Sequence, residues 1–99
     1  MREIVESPIE QGADEEIVYS LTTTPWGSSP ASPSVAVLNE SAGDVDVTAD
    51  VITGSASVSG DVITLPAIAG LTRGVRYRVE IQFTAGGNVW EAYARIKAT

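Results

Sequence analysis

Residues 75–98 constrain the fold more than any other part of the chain. From Val75 to Thr84 the run VRYRVEIQFT alternates apolar and polar side chains without a fault. From Val89 to Ala98 it alternates again, with Trp90, Ala92, Ala94, Ile96 and Ala98 set against Glu91, Tyr93, Arg95 and Lys97. A period of two sends each set to its own face of a strand. Between the runs, Ala85-Gly86-Gly87-Asn88 offers a two-residue turn at Gly86 and Gly87. A type I′ turn needs positive φ at both central residues, which glycine tolerates. With Ala85 facing Asn88, Phe83 meets Trp90, Ile81 meets Ala92, Val79 meets Ala94, Tyr77 meets Ile96 and Val75 meets Ala98. A slip of one residue would set Ile81 against Glu91, so the register is strongly specified. Large residues facing small ones let a second sheet pack closely on this face.

The rest of the chain also reads as strands. Glu16–Thr23 (EIVYSLTT) is β-branched and aromatic and is stopped by Pro25. Thr24–Pro33 (TPWGSSPASP) reads as a loop, and Ser34–Asn39 as the next strand. In Asp44–Val51, Val45, Val47, Ala49 and Val51 alternate with Asp44, Asp46, Thr48 and Asp50, which predicts a half-buried strand. Ser55–Ser59 and Val62–Leu65 form a short hairpin turning at Gly60-Asp61, and residues 66–72 hold a single helical turn at most. No apolar period of 3.6 is sustained, so the fold class is all-β.

Ninety-nine residues make one domain. Residues 14–99 are expected to be that domain. Residues 1–13, with Pro8 interrupting Ile4, Val5 and Ile9, are either a frayed terminus or an arm that orders on a partner. The chain has neither cysteine nor histidine. That removes disulfides, thiolate nucleophiles, Cys- or His-ligated metals and imidazole acid–base chemistry. The expectation is a non-enzymatic protein with no cofactor and no metal. A net charge of −7 argues against nucleic acid as a partner. No apolar run is long enough for a membrane helix, and MREIVESP has no h-region, so neither a membrane partner nor secretion by a signal peptide is expected. Five of the six bases (Arg73, Arg76, Arg78, Arg95 and Lys97) lie in residues 73–99, whereas Arg2 is the only base before them. An acidic front and a basic back suit charge-complementary contacts.

Leu71-Thr72-Arg73-Gly74-Val75-Arg76-Tyr77 leads into the final hairpin. The spacing of Leu71, Gly74 and Tyr77 resembles the tyrosine corner of immunoglobulin-like and fibronectin type III domains. There the leucine plugs the core, the glycine permits the bend, and the tyrosine hydroxyl reaches back to the backbone. Arg73 stands where family members often have proline, and the Cys-Trp-Cys of antibody domains is missing. The resemblance implies an immunoglobulin-like, fibronectin type III-like antiparallel β-sandwich of about seven strands with Greek-key connections. More loosely, the ending GLTRGVRYRVEIQFTAGGNVWEAYARIKA is similar to small immunoglobulin-like virion proteins of tailed bacteriophages, of the fibre–tail adaptor or baseplate-associated kind. That likeness is strongest over residues 70–98. It implies a structural or adaptor role at the tail, fibre attachment or head–tail junction, with other virion structural proteins as partners. It further implies a homo-oligomer within the assembly, and a virion location after assembly in the host cytoplasm.

The candidate partner-binding residues are Arg76, Arg78, Tyr93, Arg95, Lys97 and Trp26. In the stated register Arg78 lies opposite Arg95 and Arg76 opposite Lys97 on the outer face. Opposed like charges cost roughly 0.2–1 kcal/mol, and Glu80, diagonal to Arg95, softens this. The plainer reading is a solvated face with snorkelling side chains; the functional one is a basic patch that receives a neighbour's acidic surface. Trp26 is either an exposed anchor or a lid over the open end of the sandwich. As an alternative function, Trp26 and Tyr93 would be stacking residues of a carbohydrate- or surface-binding module. Asp44, Asp46 and Asp50 would share one side of an alternating strand and could hold Ca²⁺, although such sites normally draw on loop carbonyls; the plainer reading is a solvated face.

Overall fold

The final hairpin forms in the register that its alternation requires. In the computed structural model, which describes residues 2, 3 and 8–99, strands Arg76–Ala85 and Asn88–Ala98 pair antiparallel. Phe83 faces Trp90, Ile81 faces Ala92, and Tyr77 faces Ile96. Gly86 and Gly87 take φ of 58° and 79° in the turn. Tyr77, Val79, Ile81 and Phe83 are buried with Ala92, Ala94, Ile96 and Ala98.

In chain order the strands are β1 (Arg2–Glu3), β2 (Ile9–Gln11), β3 (Ser20–Thr22), β4 (Ala31–Asn39), β5 (Val45–Asp46), β6 (Ser57–Ser59), β7 (Val62–Thr64), β8 (Arg76–Ala85) and β9 (Asn88–Ala98). They form two sheets. The larger runs β1-β9-β8-β4-β5, with β2 also on β9; the smaller runs β3-β7-β6. The architecture is an all-β sandwich with a core between the sheets, where Leu21, Ile63, Leu65, Ile68 and Leu71 meet Val37 and the inner face of the hairpin. The chain passes from one sheet to the other at β2–β3, β3–β4, β5–β6 and β7–β8.

The last crossing uses the corner motif. Leu71 is buried, Gly74 takes φ of 85°, and the Tyr77 hydroxyl accepts a 2.8 Å bond from the Thr72 amide. The first strand is expected over Glu16–Thr23. Its regular part is β3, flanked by a bridge from Ile17 to Ile68 and by a bond from the Leu65 amide to Tyr19. β4 begins earlier than expected and includes Pro33. It can, because the ladder with β8 breaks register between Ala31 and Ser34, and β5 reaches only Leu38 and Asn39 on the other side. Residues 66–72 hold no helical turn; Ile68 there bridges to Ile17 and Ile52.

The clearest correction is Asp44–Val51. Only Val45–Asp46 is strand, and Thr48–Val51 forms one α-helical turn, α1. The Asp46 carboxylate accepts from both the amide and the hydroxyl of Thr48, at 2.9 and 2.6 Å. This local Asx turn competes with the ladder and ends the strand. The Thr48 hydroxyl meanwhile accepts from the Val37 amide at 2.9 Å, standing in for the lost strand.

Of the expected arm over residues 1–13, residues 1 and 4–7 lie outside the described residues. The described parts sit on the sandwich: β1 and β2 both run parallel to β9. Gln11 is fully buried, its amide nitrogen donating to the carbonyls of Ile68 (2.7 Å) and Glu15 (3.0 Å), while the Tyr19 hydroxyl donates to its amide oxygen at 2.8 Å. One buried side chain thus ties β2 of the larger sheet to the segments beside the smaller one. Burial, with Glu15 nearby, raises the Tyr19 pKa above the usual phenol value.

Candidate interaction face

β8 and β9 turn one side chain in two away from the core, so the outer face of the larger sheet is laid out in rows. Lys97 lies opposite Arg76, Arg95 opposite Arg78, Tyr93 opposite Glu80, and Glu91 opposite Gln82. Two adjacent rows therefore begin with like charges. The structure resolves one of them with a residue whose role the sequence did not disclose.

That residue is Glu40, in the 3-10 turn Glu40–Ala42 between β4 and β5. The Asn39 side chain caps the turn by accepting from the Ala42 amide at 3.1 Å, and Gly43 closes it in the left-handed region. The Ser41 hydroxyl accepts from the Arg76 amide at 3.0 Å and pins the turn to β8. Glu40 is thereby held over the sheet, where Arg78 Nη1 donates to Oε2 at 3.1 Å and Arg95 Nε donates to Oε1 at 3.2 Å. Arg78 also reaches Glu80 at 2.9 Å and Asp44 at 3.3 Å. Partial desolvation opposes its charge, but Glu80 and Asp44 outweigh that and hold its pKa above the ordinary guanidinium value. Glu80, which the register places diagonal to Arg95, makes its ion pair with Arg78 on its own strand. Arg95 also lies over the Tyr93 ring, 5.3 Å from its centroid.

The expected patch accordingly divides in two. Arg78, Arg95 and Tyr93 are organised within the chain around Glu40. Arg76 and Lys97, at the end of the hairpin away from Gly86-Gly87, are exposed and make no ion pair among the described residues. Arg73, in the corner just before β8, is exposed and unpaired in the same sense. Glu10 of β2 lies beside Lys97 in the parallel ladder and is also exposed.

Trp26 behaves as a lid. The amides of Trp26 and Gly27 both donate to the Thr23 carbonyl, at 2.8 and 2.9 Å, folding the loop back on itself. This lays the indole on Phe83, with ring centroids 5.8 Å apart and planes 21° from parallel. Gly27 permits the approach, because a Cβ there would come within 2.9 Å of Ala85 Cβ. The three aspartates considered for Ca²⁺ do not converge: Asp44 turns to Arg78 and Asp46 to Thr48. Among the described residues no three acidic side chains gather as a metal-binding group, and no helix is long and apolar enough to cross a membrane. An open groove of about 640 Å³ lies beside β4, lined by Pro33, Val35, Asp46, Ile52, Ala56 and Pro66 among others, with none of the cations in its wall.

The fold and this face define a small all-β sandwich whose outer sheet surface is a braced array of charged side chains. No protein-family model, curated protein or solved structure matches the chain.

Proposed function

We propose that this chain is a non-enzymatic structural or adaptor protein of a tailed-phage particle, binding neighbouring virion proteins at the tail, fibre attachment or head–tail junction. The observation that carries the reading is the division of the outer face. Arg78 and Arg95 are fixed by Glu40, and beside them Arg76 and Lys97 stand exposed and, among the described residues, without an ion pair, in a chain of net charge −7. Exposed cations on a sheet face that Glu40 braces suit a partner's acidic surface by charge complementarity.

The immunoglobulin-like reading is supported by the strand order. β3, β7 and β6 follow one another as B, E and D do in such domains, and β9, β8, β4 and β5 as G, F, C and C′ do. The Tyr77–Thr72 bond supports it too. The carbohydrate-binding alternative gains nothing from its two aromatics. Trp26 is committed to Phe83, and Arg95 covers the Tyr93 ring.

The test is complementation of a phage lacking this gene. Wild-type protein should restore particle assembly, and Arg76→Glu/Lys97→Glu should fold normally yet restore it at least about tenfold less well. Full complementation by the double charge reversal would overturn the assignment of the binding face.

A further inference from the structure

A different surface carries a second contact, independent of the reading above. β3 stands at one edge of the smaller sheet, and among the described residues no strand pairs with its other side. The bonds to β7 and its flanks run through odd-numbered residues: Ile17 exchanges bonds with Ile68, Tyr19 accepts from Leu65, and Thr23 donates to Asp61. In an antiparallel ladder the amides of alternate residues point to opposite sides. The amides and carbonyls of Val18, Ser20 and Thr22 therefore face outward along an open edge. All three residues are exposed, Val18 by 59%.

Apart from being short, with only Ser20–Thr22 as regular strand, this edge lacks the devices that normally blunt one. Residues 17–23 contain no charge, no proline and no glycine. The sheet face beside it is equally bare of charge. Ser20, Thr64 and Ser57 form one row across the strands, and Thr22, Val62 and Ser59 the next. In a chain of net charge −7, an uncharged edge lets a second copy approach with less repulsion than its acidic segments would.

We infer that two copies pair edge to edge along β3, antiparallel about a two-fold axis at Ser20. Only even-numbered residues can exchange bonds across the axis. The register with most overlap sets Ser20 on its own copy and Val18 on Thr22, giving about six new backbone hydrogen bonds. The two three-stranded sheets become one continuous sheet. Glu16 then faces Thr24, whose hydroxyl is bonded to Asp61 at 3.1 Å, so Glu16 of one copy comes beside Asp61 of the other. Salt screens that repulsion and tightens the dimer. A contact made through Arg76 and Lys97 would be weakened by salt, which separates failure of this inference from failure of the proposed function.

The experiment is sedimentation velocity on the full chain from about 10 µM to 1 mM at low and high salt. A monomer–dimer equilibrium that tightens with salt is expected. Ser20→Lys, which sets two ammonium groups against each other at the axis, should weaken it at least about tenfold. Ser57→Lys on β6 adds the same charge away from the axis and should leave it unchanged. Because the chain has no cysteine, a nitroxide on Ser20→Cys reports the axis directly. Dipolar broadening at Ser20→Cys and none at Ser59→Cys is expected, and it does not depend on Ser20→Lys folding. A monomer at every concentration, a dimer indifferent to Ser20→Lys, or one that loosens with salt would overturn the inference.

Discussion

The β8–β9 hairpin and the segment Asp44–Val51 have the same sequence pattern and different structures. Both alternate apolar and polar residues with a period of two. The hairpin becomes two long paired strands, whereas the segment gives a two-residue strand and a single helical turn. What separates them is the chemistry of the polar positions. In the hairpin the outward residues are mostly long side chains that reach away from the backbone. In the segment they are Asp and Thr, short enough to bond the backbone beside them. Asp46 takes the amide and hydroxyl of Thr48, and the pleat ends there. Asp44 has already left the extended region, with φ of 62°, and turns its carboxylate to Arg78. Alternation permits a strand; it does not oblige one where Asx chemistry can compete.

The two regions should respond to substitution very differently. Phe83→Ala, emptying a site 1% exposed between Trp26 and the core, should cost about 3–5 kcal/mol in chemical denaturation. Thr48→Val should cost about 1–2 kcal/mol, since it removes the hydroxyl that satisfies the Val37 amide and donates to Asp46. If it stabilises the protein instead, the helical turn is not held by that hydroxyl. Asp46→Asn tests the same turn through pH. Bonds from the Thr48 hydroxyl and amide hold the Asp46 carboxyl below its ordinary pKa. Its stabilisation is therefore complete above the usual carboxylate range and is lost as pH falls through the lowered folded value. The stability difference between wild type and Asp46→Asn should shrink on acidification below about pH 4. The smallest effect is expected of Val45→Ala, at a position 52% exposed, where the change should stay within about 0.5 kcal/mol.

Legibility in the sequence followed how local the determining interactions were. The hairpin register and turn, the corner at Leu71, Gly74 and Tyr77, and the β6–β7 pair could be read because each is specified by neighbours along the chain or by a single strand pairing. Glu40 could not. Its importance comes from standing, by way of the turn Asn39 caps, over two arginines far away in sequence. Gln11 was equally hidden, because a polar residue in an acidic leader gives no sign that its amide will be buried against Ile68 and Tyr19. The sequence leaves Trp26 open between anchor and lid, because what decides it is the Thr23 carbonyl gathering the loop and laying the indole on Phe83.

For the candidate site, the sequence supplied the opposed cations but not what organises them. The count of bases in residues 73–99 is correct in either view. What the structure adds is that Arg78 and Arg95 are engaged within the chain, whereas Arg73, Arg76 and Lys97 are exposed and make no ion pair among the described residues.

The central claim, that this sandwich is a virion component bound through the Arg76–Lys97 end of its outer face, is tested most directly by cross-linking mass spectrometry on purified particles from its host. The account predicts the chain in fixed stoichiometry, with cross-links from Lys97 to acidic residues of a neighbouring virion protein. Particles that are complete and infectious without it, or cross-links that leave Lys97 untouched and run only from the opposite sheet, would contradict the account.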